Sequence, residues 1–227
     1  MVRDESKGHM NDANELMEMN LIPAGEFVFG IEELARNKQD RFPARKIELP
    51  AYYIDRYEVT NTQYRLFVET TKRTAPEHWA AGEIPEGKEK HPVVNVSLQD
   101  ALAYCEWVGK RLPTEAEWEK ACRGSDAREY PWGELIGSTR CNCHELGING
   151  TTAVDQYPKG QSPFGVWDMV GNVWEWTTDW YDNRESMKVV RGGSYNLSSG
   201  NLRCTVRYGI RPDRARAYCG FRCARDE

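Results

Sequence analysis

Residues 103–124 read AYCEWVGKRLPTEAEWEKACRG, and this stretch decides the architecture. Thr114 opens a T-E-A-E run with capping-box spacing: the threonine hydroxyl and the Glu117 carboxylate satisfy each other's backbone N–H groups and so start a helix. Trp118, Ala121 and Cys122 follow at helical spacing, and Gly124 stops the run. The upstream half closes an earlier amphipathic run capped by Ser97 with Asp100 in its first turn; Leu98, Ala101, Leu102, Cys105 and Val108 make its apolar face and Gly109 ends it. Each helix presents a cysteine to the core.

Further toward the N-terminus, Tyr64, Phe67 and Val68 give residues 61–72 helical spacing, while residues 25–30 and 47–59 alternate or cluster apolar and β-branched side chains as strands do. Residues 74–91, rich in Pro, Gly and Glu, read as a surface excursion. Beyond Gly124, as far as residue 187, there is little periodicity but much Gly, Pro and Asn, with Trp132, Trp167, Trp174, Trp176 and Trp180 among them. Irregular stretches of that length are uncommon in compact domains unless they carry function. Residues 189–195 and 220–224 read as closing strands. The pattern is α+β, two helices and short strands supporting abundant irregular structure, with no internal repeat. Trp118, Trp132, Trp176 and Trp180 are expected in the core.

At 227 residues the chain suits one domain, expected over 21–227 behind a polar tail over 1–20. A net charge of −5, with both signs mixed along the chain, argues against the basic stripes that nucleic acid or anionic membranes require. No apolar run approaches the ~20 residues that span a bilayer, and MVRDESKGHMNDANEL has no signal-peptide core. The compartment is left open, with the cytoplasm as default. The seven cysteines are odd in number. Cys141-x-Cys143 lacks the two-residue gap of a zinc knuckle and has only His144 beside it, so buried thiols are the simpler reading.

IPAGEFVFG, YYIDRYEVTNTQY, HPVVNVS, the stretch quoted first, YPWG, DMVGNVWEW, RGGSY and GFRCA occur in that order. Together they resemble the formylglycine-generating-enzyme, or sulfatase-modifying-factor, family over residues 21–227. The resemblance implies a variant of the C-type lectin fold, and a chemistry in which a copper-bound cysteine pair uses oxygen to convert a substrate cysteine to formylglycine. At the two positions that match this pair, after Gly192-Gly193-Ser194-Tyr195, the chain carries Leu197 and Leu202. Cu(I) favours thiolates, so copper is not expected. Ser194, Trp174 and Arg207 match residues that line the family's substrate cleft, whereas the asparagine expected before the last block is replaced by Tyr218-Cys219. In secreted members the resemblance implies disulfides Cys105–Cys223 and Cys122–Cys204, which in a reducing compartment are neighbouring thiols. Cys219 is left as a small buried hydrophobe.

DMVGNVWEW supplies hard carboxylate oxygens from Asp168 and Glu175, and a turn able to aim the Gly171 and Val173 carbonyls inward, which suits structural Ca²⁺. The resemblance implies calcium at this turn; the alternative is a carboxylate pair that binds the turn without metal. For the family's second calcium site, Asn142 and the Cys143 carbonyl match, but the later aspartate does not.

The leading expectation is therefore a non-catalytic domain that binds a peptide, protein or small-molecule ligand in a cleft of Trp174, Ser194, Tyr195, Leu197, Leu202, Arg207 and Tyr218. The rivals are an oxidoreductase making formylglycine and an accessory subunit of such an enzyme. Sulfoxide synthases with related domains use three histidines, and His9, His78, His91 and His144 are scattered without such a motif. Arg203, Arg207, Arg211, Arg214 and Arg216, set among Asn, Ser and Tyr, suit either a recognition surface or a solvated face. Variable proteins of diversity-generating retroelements, which share this fold, place their mutable residues in the same segment.

Overall fold

The computed structural model describes residues 18–31, 43–133 and 139–227. The tail expected over residues 1–20 lies outside them as far as residue 17, and strand β1 (Met19–Ile22) already begins at Met19. Among the described residues there are three α-helices, α1 (Asn61–Thr71), α2 (Leu98–Trp107) and α3 (Glu115–Arg123), where two were expected as the frame. The additional one is held as firmly as the others. Thr60 and Gln63 form a capping box, as do Ser97 with Asp100 and Thr114 with Glu117.

The strands are short and make small sheets. β1, β4 (Tyr52–Asp55) and β9 (Ala224–Asp226) form an antiparallel sheet with β4 central, which joins the end of the chain to its beginning. β2 (Gly25–Phe29) and β3 (Arg45–Leu49) form an antiparallel ribbon. The third sheet has the order β7 (Arg207–Ile210), β6 (Lys188–Arg191), β5 (Trp174–Trp180), β8 (Cys219–Gly220), with β8 parallel to β5. The single strand read over 47–59 is split, with Pro50 between β3 and β4, because proline cannot donate to a ladder. The strand read over 189–195 stops at Arg191, where Gly192 and Gly193 take φ of 92° and 77°.

Aromatic side chains fill what the short elements leave open. Tyr64 stacks on Tyr104 at 5.8 Å, and Phe67 and Phe221 meet Tyr104 edge-on. Trp118 and Trp176 are fully buried as expected, but Trp180 is 39% exposed, with Lys188 Nζ 3.6 Å from the centre of its ring. Trp132 is partly buried and stacks on Tyr130.

Between α3 and the third sheet lies a layer of buried charge. Glu175, Arg191 and Arg207 face one another across β5, β6 and β7. Arg191, 1% exposed, donates to Glu115 at 3.3 Å and Glu119 at 2.6 Å and also to the Cys204 and Thr205 carbonyls. Arg123 pairs with Glu119 at 3.0 Å, and Glu119 in turn accepts from the Gly30 N–H at 2.7 Å. Removing one partner of such a network strands the others without solvation. Arg191→Leu is predicted to cost about 3–5 kcal/mol of unfolding free energy in urea titrations; a loss below ~1 kcal/mol would show that this layer does not hold helix to sheet.

Candidate functional site

The segment that leads into β5 runs through three residues with left-handed backbone, Asp168 (φ 51°), Gly171 (φ 83°) and Asn172 (φ 53°). A side chain on Gly171 would collide with the Asn142 carbonyl oxygen, so only glycine lets this turn lie against residues 141–142. Asn172 ties the surroundings together. Its N–H donates to the Asn142 carbonyl at 3.0 Å, its Nδ2 to Glu58 Oε2 at 2.8 Å, and its Oδ1 accepts from Asn142 Nδ2 at 3.2 Å and the Thr152 N–H at 3.0 Å. The Tyr195 N–H donates to its carbonyl at 2.9 Å, and the Gly171 N–H to the Gly192 carbonyl at 3.0 Å.

Around this hub, both carboxylate oxygens of Asp168, Oε1 of Glu58 and Oδ1 of Asn142 are buried without a protein partner. Burial pushes the Asp168 carboxyl up to about 8, against the pull of Arg222 and with the help of Glu175. Glu58 is raised well above the carboxylate range by its own burial and then by Asp168 and Glu175. Buried oxygens left this way are the kind a hard cation satisfies. Glu175 is placed differently from the expectation: its carboxylate accepts from Arg222 Nε and Nη2 at 2.7 and 2.8 Å and from Trp118 Nε1 at 2.7 Å. The Cys143 carbonyl accepts from the Leu146 N–H at 3.1 Å, which ties it into a local turn. Val173 is fully buried beside the turn. Among the described residues no three His, Cys, Asp or Glu side chains converge as a metal-binding group. The oxygens that fit a hard cation are thus those of Asp168, Glu58 and Asn142. Glu58 was missed in the sequence because Asn172 recruits it from 114 positions away.

Leu197 and Leu202, five positions apart in sequence, come together over Gly193. Leu202, fully buried, fills the space a side chain there would take, and Leu197 Cδ1 lies 3.3 Å from the same point. Both pack with Trp118, Met169 and Cys204. The position that the resemblance assigns to copper is therefore dry and apolar, and these residues do not fit the metal. Ser194 is fully buried and donates from its hydroxyl to Asn196 Oδ1 at 2.7 Å, and Tyr195 is half-buried. All seven cysteines are buried free thiols. Cys105 and Cys223 have sulfurs 3.4 Å apart, burial and the Cys204 thiol raise Cys122, and burial alone accounts for most of the rise at Cys219.

The opposite face of the third sheet carries Trp174 and Tyr208, with rings 5.8 Å apart, and the Trp174 N–H donates to the Tyr218 carbonyl at 2.9 Å. A groove of about 490 Å³ runs beside them, lined by Met187, Tyr208, Ile210, Arg211, Arg214, Arg216 and Tyr218 among others. Arg207 does not reach it, contrary to expectation: its Nε and Nη2 donate to Glu115 at 2.8 and 3.0 Å on the α3 side. Strand alternation explains the difference, since consecutive residues of β7 point to opposite faces, which makes Tyr208 the groove residue. Tyr195 and Ser194 belong to the hub and the leucine plug, whereas Tyr218 lines the groove and Trp174, buried in the core, backs its Tyr208.

The sulfatase-modifying factor enzyme 1-like domain matches residues 6–227. Mouse formylglycine-generating enzyme is 32% identical, over 93% of this chain and 76% of its own. A mouse protein named inactive C-alpha-formylglycine-generating enzyme 2 is 33% identical, over 89% of this chain and 84% of its own. Among solved structures, PvdO from Pseudomonas aeruginosa superposes with a TM-score of 0.78 at 25% identity, covering 92% of this chain and 94% of its own. The chain belongs to the sulfatase-modifying factor enzyme 1-like family.

Proposed function

We propose that this member of the family is a binding module that holds a peptide, protein or small-molecule ligand and does not oxidise cysteine with copper. The observation that carries this reading is the pair Leu197 and Leu202 packed over Gly193, where the family's chemistry needs two soft ligands. Overall identity does not decide the matter, because the mouse enzyme and the mouse inactive relative stand at 32% and 33%. Cys219, the thiol nearest the groove in sequence, does not replace the pair: it is fully buried and held protonated by burial. Tyr208 and Tyr218, with Trp174 packed behind Tyr208, then serve as a contact surface.

The orphaned oxygens of Asp168, Glu58 and Asn142 support a structural calcium ion in the same reading. Bound there, the ion supplies the positive charge that two buried carboxylates lack, and fixes the turn that leads into β5.

Two measurements test these statements. With Cu(I) and a cysteine-containing peptide, oxygen uptake is expected to equal that of the protein-free control; copper-dependent turnover would refute the non-catalytic reading. Calcium at ~100-fold excess over its dissociation constant is expected to stabilise the fold by about 2.7 kcal/mol. Asp168→Asn should abolish that shift while raising the stability of the chelated protein near neutral pH, because it removes the cost of holding a buried carboxyl protonated far above its unfolded pKa. An unchanged melting temperature in wild-type protein on addition of Ca²⁺ would contradict the cation assignment.

A further inference from the structure

The groove beside Tyr208 gathers three arginines, Arg211, Arg214 and Arg216. The chain as a whole has a net charge of −5, yet the run RYGIRPDRARAY, residues 207–218, holds four arginines against one acid. One of the four, Arg207, is used internally by Glu115. The other three line the groove, and the one local carboxylate, Asp213, is shared: Arg211 donates to both its oxygens at 3.2 Å and Arg214 Nε stands at 4.0 Å. Arg216 pairs with no carboxylate among the described residues, its Nη1 donating only to the Ala215 carbonyl at 3.4 Å. Two positive charges are therefore left over. Other surface cations are matched one to one, as Lys46 is with Glu26 and Arg128 with Asp126.

Beside these guanidiniums Tyr208 is 51% exposed and leans on Trp174, and Met187 adds a flexible apolar wall. The groove continues past Met187 and Arg211 into a depression of about 710 Å³ bordered by Ser186, Pro212 and Asp213. Guanidinium forks bind carboxylates in pairs of parallel hydrogen bonds, and aromatic rings receive apolar or planar side chains next to them.

We infer that this groove recognises a short acidic peptide segment of a partner protein, its carboxylates on Arg211, Arg214 and Arg216 and an apolar or aromatic side chain against Tyr208, which Trp174 backs from the core. This inference rests on the binding reading above and names its ligand class. A nucleic-acid strand suits the site less well. The basic track is only three residues long, with at most one exposed aromatic ring beside each end, short of the extended basic groove and stacked aromatics that a strand requires.

Fluorescence anisotropy with a short labelled peptide of alternating glutamate and tyrosine, its glutamine counterpart, and a short oligothymidylate tests the assignment. The acidic peptide is expected to bind and to weaken with added salt. Arg211→Glu and Arg216→Glu, both on exposed side chains, should each lower affinity ~10-fold or more, while Arg65→Glu on α1 leaves it unchanged. Circular dichroism melts of the variants confirm that the fold survives. Equal binding of the glutamine peptide, tighter binding of oligothymidylate, or no binding of any probe overturns the inference. None of these outcomes touches the oxygen-uptake result. Conversely, copper-dependent turnover in a protein that still binds the acidic peptide would remove the non-catalytic reading and leave this one standing.

Discussion

The pairing of Arg191 with Glu119 and Glu115, and of Arg222 with Glu175, is the constraint on which the rest of this molecule depends. Four short strands and a nine-residue helix bury too little apolar surface to fix their own orientation, and a layer of geometrically specific ion pairs does so instead. Arg222 reaches further. Its Nη groups also donate to the carbonyls of Asp55, Arg56 and Trp167, so the same side chain that holds Glu175 ties β4 and the segment before Asp168 to the sheet. One guanidinium thereby positions both the candidate cation turn and the strand that carries Trp174.

That arrangement explains why the two faces of the third sheet have different uses. The α3 side is occupied by ion pairs of Arg191 and Arg207 with Glu115 and Glu119. On the other side Trp176 enters the core while Trp174 and Tyr208 lie toward the groove, and β7, at the edge of the sheet, brings the arginine-rich segment directly after it. The hub at Asn172 connects the site to the fold from behind. Through Asn142, Glu58, Thr152 and Tyr195 it collects segments distant in sequence, and the Gly192-Gly193 bend that follows β6 rests against it through the Gly171 N–H. Leu197 and Leu202 close that bend with apolar packing against Gly193 and the core cluster of Trp118, Met169 and Cys204.

What was legible in the sequence follows from whether its cause is local. Capping boxes act within four residues, so Ser97 with Asp100 and Thr114 with Glu117 announced their helices; Thr60 with Gln63 has the same spacing and stands before a run whose helical period was visible. Strand β5 was hidden because Glu175, fully buried, makes WEWTTDW look half polar, and only its partner Arg222, 47 residues away, makes that burial tolerable. The face of Arg207 was misjudged for want of β7, since strand parity alone sends Arg207 to Glu115 and Tyr208 to Trp174. The ordered blocks disclosed the family and the missing cysteines, but not that the replacements meet over Gly193. They also gave no hint that Glu175 is taken by Arg222 or that Glu58 stands among the unsatisfied oxygens.

The central claim is that Leu197 and Leu202 stand, on the family's scaffold, where copper chemistry needs two thiolates. Copper content after anaerobic Cu(I) loading under competing chelator, compared between the wild-type chain and Leu197→Cys/Leu202→Cys, tests it most directly. The account predicts stoichiometric copper in the double variant and none retained by the wild type; stoichiometric copper in the wild type would contradict it.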